Sequence, residues 1–194
     1  MITRRAALSG LIAMPLAPSV LPAPKPWPER LIAAARAQIG VTVSYDPAYR
    51  RLDYPMGDVA RSTGVCTDVV IRAYRDAFGL DLQWLVHEDM RATFSAYPDI
   101  WGLKGTDRNI DHRRVPNLET FFARAGAARA DRDWKPGDLT TCRLPGNLPH
   151  IAIVADRRHV SGRLLVIHNI GRGTREEDLL GTCAAERRFR YPPA

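Results

Sequence analysis

A cysteine heads an amphipathic stretch, GVCTDVVIRAYRDAFG, between Gly64 and Gly79. Val65, Val69, Val70, Ala73, Tyr74, Ala77 and Phe78 recur at helical spacing, and Gly79 supplies a stop. The charged Asp68, Arg72, Arg75 and Asp76 fall largely between them. Cys66 therefore sits at or just before the first turn. There the backbone N–H groups and the helix dipole favour a thiolate, the form of cysteine that attacks a carbonyl carbon. The same position also suits a small buried hydrophobe. What separates the two readings is a nearby imidazole.

Five histidines are available: His87, His112, His150, His159 and His168. His150 opens the apolar run HIAIVA directly after the turn-like PGNLP, so it belongs at a strand's leading edge, where it can project toward a helix N-terminus. His168 lies at the far end of the next run, LLVIHN, and antiparallel pairing brings the start of one strand beside the end of the next. His168 is thus placed to orient His150, the third role in a nucleophile–base–orienter arrangement. Asn169 is the neighbouring alternative and faces the other side of the strand. Spacing alone leaves inert packing open for the cysteine and a satisfied polar group open for each histidine.

These residues need a scaffold, and the rest of the chain reads as one. After a Pro-rich joint at residues 24–28, ERLIAAARAQIG is a helix ending at Gly40. The stretch from Val41 to Gly64 is rich in Tyr, Pro, Asp and Gly and reads as a long ordered loop. The Cys66 helix follows. Asp81 caps a helix over DLQWLVHEDMRATFSAYP, and Asn117 caps a shorter one, LETFFARAG. Beyond Trp134 the runs GDLTTCRL, HIAIVADRR, RLLVIHNI and RRFRYP are β-rich and separated by turns. Helices first and strands second make this an α+β domain over residues 29–194, with N-terminal helices packed on a C-terminal antiparallel sheet.

The N-terminus carries Arg4 and Arg5, then an apolar run broken by proline, then Leu21-Pro22-Ala23. This run is too short to span a membrane and reads as a cleaved signal over residues 1–23 of twin-arginine type, which places the protein in the periplasm or cell envelope. The net charge of +7 favours anionic partners, but the arginines are scattered and form no recognisable nucleic-acid module. Of three cysteines, Cys142 and Cys183 lie in or near strands and can pair in an oxidising compartment, which leaves Cys66 free.

The order of the helix-leading Cys66, the turn WKPGDL, the strand-leading His150 and the strand-ending His168 resembles that of NlpC-type cell-wall cysteine peptidases, which have the papain-like fold. More closely, ARAQIGVTVSYDPAYRRLDYPMGDV, GVCTDVVIRAYR, LVHEDM, NIDHRRVPNLETFF and VIHNIG resemble one bacterial family, of the domain-of-unknown-function kind, assigned to that superfamily. The resemblance implies Cys66 as nucleophile, His150 as general base and acid, and His168 as orienting residue, with peptidoglycan or its stem peptides as substrate and no cofactor. Where the well-studied peptidases carry Asp-Cys-Ser-Gly and hold a free substrate amine, this chain reads Val65-Cys66-Thr67-Asp68. Asp68 is then the candidate replacement for the anionic group.

Other polar residues are weighed on their chemistry. Tyr45 and Asp46 are candidates to line the substrate cleft, although Asp46-Pro47 is also a strong turn former. His87, Glu88 and Asp89 are consecutive and fan out around a helix, so with Asp111 and His112 they favour a structural network over a metal site. Arg113 and Arg114 are expected to pair with those carboxylates or to face an anionic substrate. The expectation is a thiol hydrolase acting on an amide bond. An acyltransferase or deamidase on the same fold, a non-catalytic wall-binding module and a secreted toxin stand as alternatives.

Overall fold

The computed structural model describes residues 24–182 and 184–193, so the signal-like segment and Cys183 lie outside the described residues. Helices α1 (Trp27–Arg36), α2 (Cys66–Phe78), α3 (Leu82–Ala92) and α4 (Val115–Arg124) precede most of the strands. The strands are β1 (Ser44–Tyr45), β2 (Thr63–Gly64), β3 (Ala128–Arg129), β4 (Leu139–Leu144), β5 (Leu148–Arg158), β6 (Leu164–Asn169), β7 (Thr174–Glu177) and β8 (Ala184–Phe189). Six of them form an antiparallel sheet in the order β3-β8-β4-β5-β6-β7, and β1 and β2 make a short parallel pair. The molecule is α+β, with helices laid on an antiparallel sheet.

Alternation along β5 sets the layers. Ile151, Ile153 and Ala155 face the helices and join Val69, Val70, Ala73, Leu118 and Phe122 in the main core, while Ala152 and Val154 meet Val166, Leu164 and Leu180 on the other face. Helix α2 lies at the centre, packed on α1, β5 and β6. Gly79 stops it in a left-handed conformation at φ 68°, which a side chain would resist.

Four features differ from the sequence reading. Helix α1 ends at Arg36, and the turn to Gly40 follows it. Helix α3 ends at Ala92, with a separate 3-10 turn over Phe94–Ala96. Helix α4 starts at Val115 with Pro116 in its first turn, and Asn117, expected as its cap, is buried inside and donates to the Asp111 carbonyl at 3.0 Å. The short strands β3 and β7 pair on the two sheet edges.

The polar stripe of α2 also departs from expectation. Asp68 and Arg72 are buried rather than solvated, because the long loop over 41–64 folds across them. Arg72 donates to both oxygens of Asp58, to Thr42 Oγ1 and to the carbonyls of Val59 and Thr63. Removing one partner of a buried ion pair costs about 3–5 kcal/mol. The loop is therefore fixed, and it delivers Tyr45 and Gly64 to the start of α2.

Candidate active site

Cys66 is the first residue of α2, free and 4% exposed. The backbone N–H groups of Ile151, Thr67 and Cys66 itself lie near its sulfur, and each favours the thiolate. Burial outweighs them and pushes the thiol up to about 11. The depression expected from the helix start alone is thus reversed by desolvation.

The nearby Ile151 N–H brings Cys66 against β5 at the position next to His150 in the chain. Strand β5 pairs with β6 only from Ile153 onward, so Ile151 lies ahead of that ladder, at the open end of the two strands. His150 and His168 both come from the strand face that carries Ala152 and Val166. Their rings meet edge to face, with His150 Nε2 and His168 Nδ1 3.0 Å apart. Both are nearly fully buried. Burial, with repulsion from His168, pushes His150 down to about 3, and burial also lowers His168. Cys66 therefore rests as a thiol and His150 as a neutral imidazole. Sγ and the His150 ring share no hydrogen bond in this structure. Catalytic bonds often shorten only when substrate arrives.

The ring roles follow from the tautomer, and the one that serves a base is specific. A neutral His150 that donates from Nε2 to His168 keeps Nδ1 unprotonated and able to accept a proton. His168 then carries its own proton on Nε2, a buried atom with no hydrogen bond, 3.6 Å from Glu177 Oε2. Glu177 sits on β7, where His168 pairs with Arg175, so the carboxylate is the diagonal neighbour on the same face. The sequence reading missed Glu177. The signal for it was only an alternating Thr-Arg-Glu-Glu edge with no apolar residue.

Asn169 takes a different place from His168. Its amide donates to the Gly64 carbonyl at 2.9 Å and to the Ser44 carbonyl at 3.4 Å, and its oxygen accepts from the Gly171 N–H. It clamps the loop in front of Cys66 and does not join the imidazole pair. Nearby, Gly173 has φ 81°, and a Cβ there would lie 2.5 Å from the Thr42 carbonyl oxygen, so the sheet edge and this loop pack backbone to backbone.

A cleft of about 200 Å³ opens over Cys66, with Tyr45, Trp101, Arg114 and Pro149 among its walls. Tyr45 lines it as expected, and burial pushes its phenol up to about 12, so it is neutral. Asp46 is a turn residue: it accepts from the Ala48 N–H and pairs with Arg50 at 3.1 Å. Asp68 accepts from the Val65 N–H and is gripped by Arg113 through two bonds of 2.9 Å. That partner corrects the expectation that Arg113 would pair within the His87–Asp111 group. Arg114 does approach Asp111, at 3.8 Å. Cys142 is disulfide-bonded and sits opposite His150 in the β4–β5 register.

Among the described residues, no three His, Cys, Asp or Glu side chains are arranged to hold a metal ion, and no helix is long and apolar enough to cross a membrane. Residues 32–191 match the family described as Domain of unknown function (DUF1287). The chain is also similar to the "Uncharacterized protein YijF" of Escherichia coli (strain K12), with 52% identity over 161 residues that cover 81% of this chain and 78% of that protein.

Proposed function

The chain belongs to the DUF1287 family, and on that premise we propose that it is a thiol hydrolase of papain-like, NlpC type that cleaves an amide bond in the peptidoglycan of the cell envelope. One observation carries the reading. A free cysteine at a helix N-terminus lies against the residue that follows a strand-leading histidine, whose far nitrogen is held 3.0 Å from a second histidine.

In this reading Cys66 Sγ attacks the carbonyl carbon as its proton passes to His150 Nδ1. The attack, rather than the resting state, creates the charge pair. The oxyanion is held by backbone N–H groups at the start of α2. His150, now an imidazolium donating to His168, returns the proton to the leaving nitrogen, and the amine departs. Water then attacks the thioester with His150 as base, releasing the carboxylic acid and restoring the thiol. His168 orients the ring, and Glu177 lies beyond it to balance the transient positive charge.

The disulfide at Cys142 favours an oxidising compartment, in keeping with the signal-like residues 1–23. The test is to incubate the purified chain with cell-wall sacculi and to compare Cys66→Ala by mass spectrometry. New amide-cleaved fragments from the parent chain alone support the reading. Identical digests, or none from either, end it. Transfer products in place of hydrolysed ones would assign the site to acyl transfer instead.

A further inference from the structure

We propose that the cleft beside Cys66 takes an acyl group bearing a carboxylate, read by the guanidinium of Arg114, a specificity that rests on the hydrolase reading above. The charged groups around the cleft divide into spent and unspent ones.

Asp68 is spent. Oδ1 accepts from Arg113 Nε, and Oδ2 accepts from both Arg113 Nη2 and the Val65 N–H. Arg113 is held in turn, because two more of its N–H groups go to the carbonyls of Ala48 and Asp46 at 3.3 Å. Both side chains are almost fully buried. The pair is a neutral structural unit, and a substrate ammonium would find no free anion in it. Asp46, at the loop beside the cleft, has its own arginine in Arg50.

Arg114 differs on each count. It lines the same cleft as Cys66, and its guanidinium stacks over the Trp101 ring at 4.2 Å. Its side chain makes no hydrogen bond among the described residues, and Nη1 is a buried atom without a partner. The nearest carboxylate, Asp111, stands 3.8 Å away, beyond hydrogen-bond reach. Burial also drives Asp111 up to about 6, so it is a weak counter-ion toward the acid side. A planar cation with up to five N–H donors, held flat on an indole and left without a hydrogen-bonded partner, matches a carboxylate in charge and in fork geometry. The other charged residue in the cleft wall, Arg113, is held in its pair with Asp68, and Tyr45 and Pro149 bring no charge.

The experiment compares two alkylating reagents of nearly equal size, iodoacetate and iodoacetamide, in mildly alkaline buffer. Each forms a sulfur–carbon bond and releases iodide, and they differ only in the carboxylate. The readout is the ratio of the two rates at Cys66, followed by mass spectrometry on the full chain. In Arg114→Gln the iodoacetate-to-iodoacetamide ratio should fall on the order of 3- to 10-fold, and Arg114→Lys should restore most of it. An unchanged ratio in Arg114→Gln overturns the proposal, including the case in which both rates fall together because the site has loosened. If Cys66 in the parent chain takes neither reagent, the thiol chemistry itself falls, and the carboxylate assignment falls with it.

Discussion

Two clusters of histidine and carboxylate stand out among the described residues, and they are built on different backbones. His150, His168 and Glu177 come from three adjacent strands whose register sets their spacing. His87, His112 and Asp111 come from α3 and a 3-10 turn over Asp111–Arg113. The strand-borne cluster forms a line, with one ring contact of 3.0 Å and a carboxylate at 3.6 Å beyond it. The turn-borne cluster leaves His87 Nδ1, His112 Nδ1 and Asp111 Oδ1 buried without hydrogen bonds, and His87 is 3.9 Å from Asp111. Only the first begins one residue from Ile151, whose N–H lies near the Cys66 sulfur. Residue types are shared; direction and a nucleophile are not. On the proposed hydrolase reading, chemistry follows the direction.

The sharpest way to break this contrast is to empty each cluster in turn. His150→Ala should lower turnover on sacculi by on the order of 10⁴-fold, since a general base acting with its nucleophile is lost as a unit. His112→Gln should leave turnover within about threefold, because this buried ring makes no hydrogen bond to Cys66, His150 or His168. Comparable losses from the two variants would erase the distinction.

Acid stability sharpens the comparison where the clusters agree. Burial holds both His150 and His112 down to about 3, far below an ordinary histidine near 6.5. Between those values the unfolded chain binds the protons that the folded chain refuses. Stability is therefore full above about pH 6.5 and falls as pH drops. Each histidine contributes a slope of about 1.4 kcal/mol per pH unit. Urea melts over this range should show a slope in the parent chain that is smaller by about 1.4 kcal/mol per pH unit in His112→Gln. A flat profile would mean that neither ring is buried as described.

The smallest effect falls on Glu177, which is 41% exposed at its side chain. Glu177→Gln should reduce kcat by about 3- to 10-fold, a modest figure because solvent screens the charge. It should also shift the acid limb of the pH profile to lower pH, as an imidazolium at His150 loses its distant counter-charge. A change in yield or melting temperature with an unmoved pH profile would make Glu177 merely an edge-strand residue.

The legible part of this molecule was the part with a period. Helical spacing marked α1 to α4, and short apolar runs marked β4, β5, β6 and β8. Cys66, His150 and His168 stood out because each sits at an end of such a run. What periodicity could not carry was the use made of charge. Asp68 and Arg72 look like a solvated stripe on α2, and only the loop folding over them turns that stripe inward. Trp101 and Arg114 lie in or beside an irregular stretch, where no spacing rule says that they will stack. Strand β7 has no apolar residue, so its pairing with β6 depends on backbone hydrogen bonds that the side chains do not announce.

Asn169 grips carbonyls that lie 105 and 125 residues earlier in the chain, at Gly64 and Ser44. Bonds of that span close late in folding, because the intervening chain must first be ordered. A chain synthesised from its N-terminus makes the Cys66 helix long before it makes β6. In that interval the thiol has no base, no orienting ring and no clamped approach. On the hydrolase reading, the newborn polypeptide is a cysteine-bearing helix whose catalytic partners are still to be made. Latency during synthesis, and during any transport in an unfolded state, is thus written into the order of the chain itself and needs no separate inhibitor.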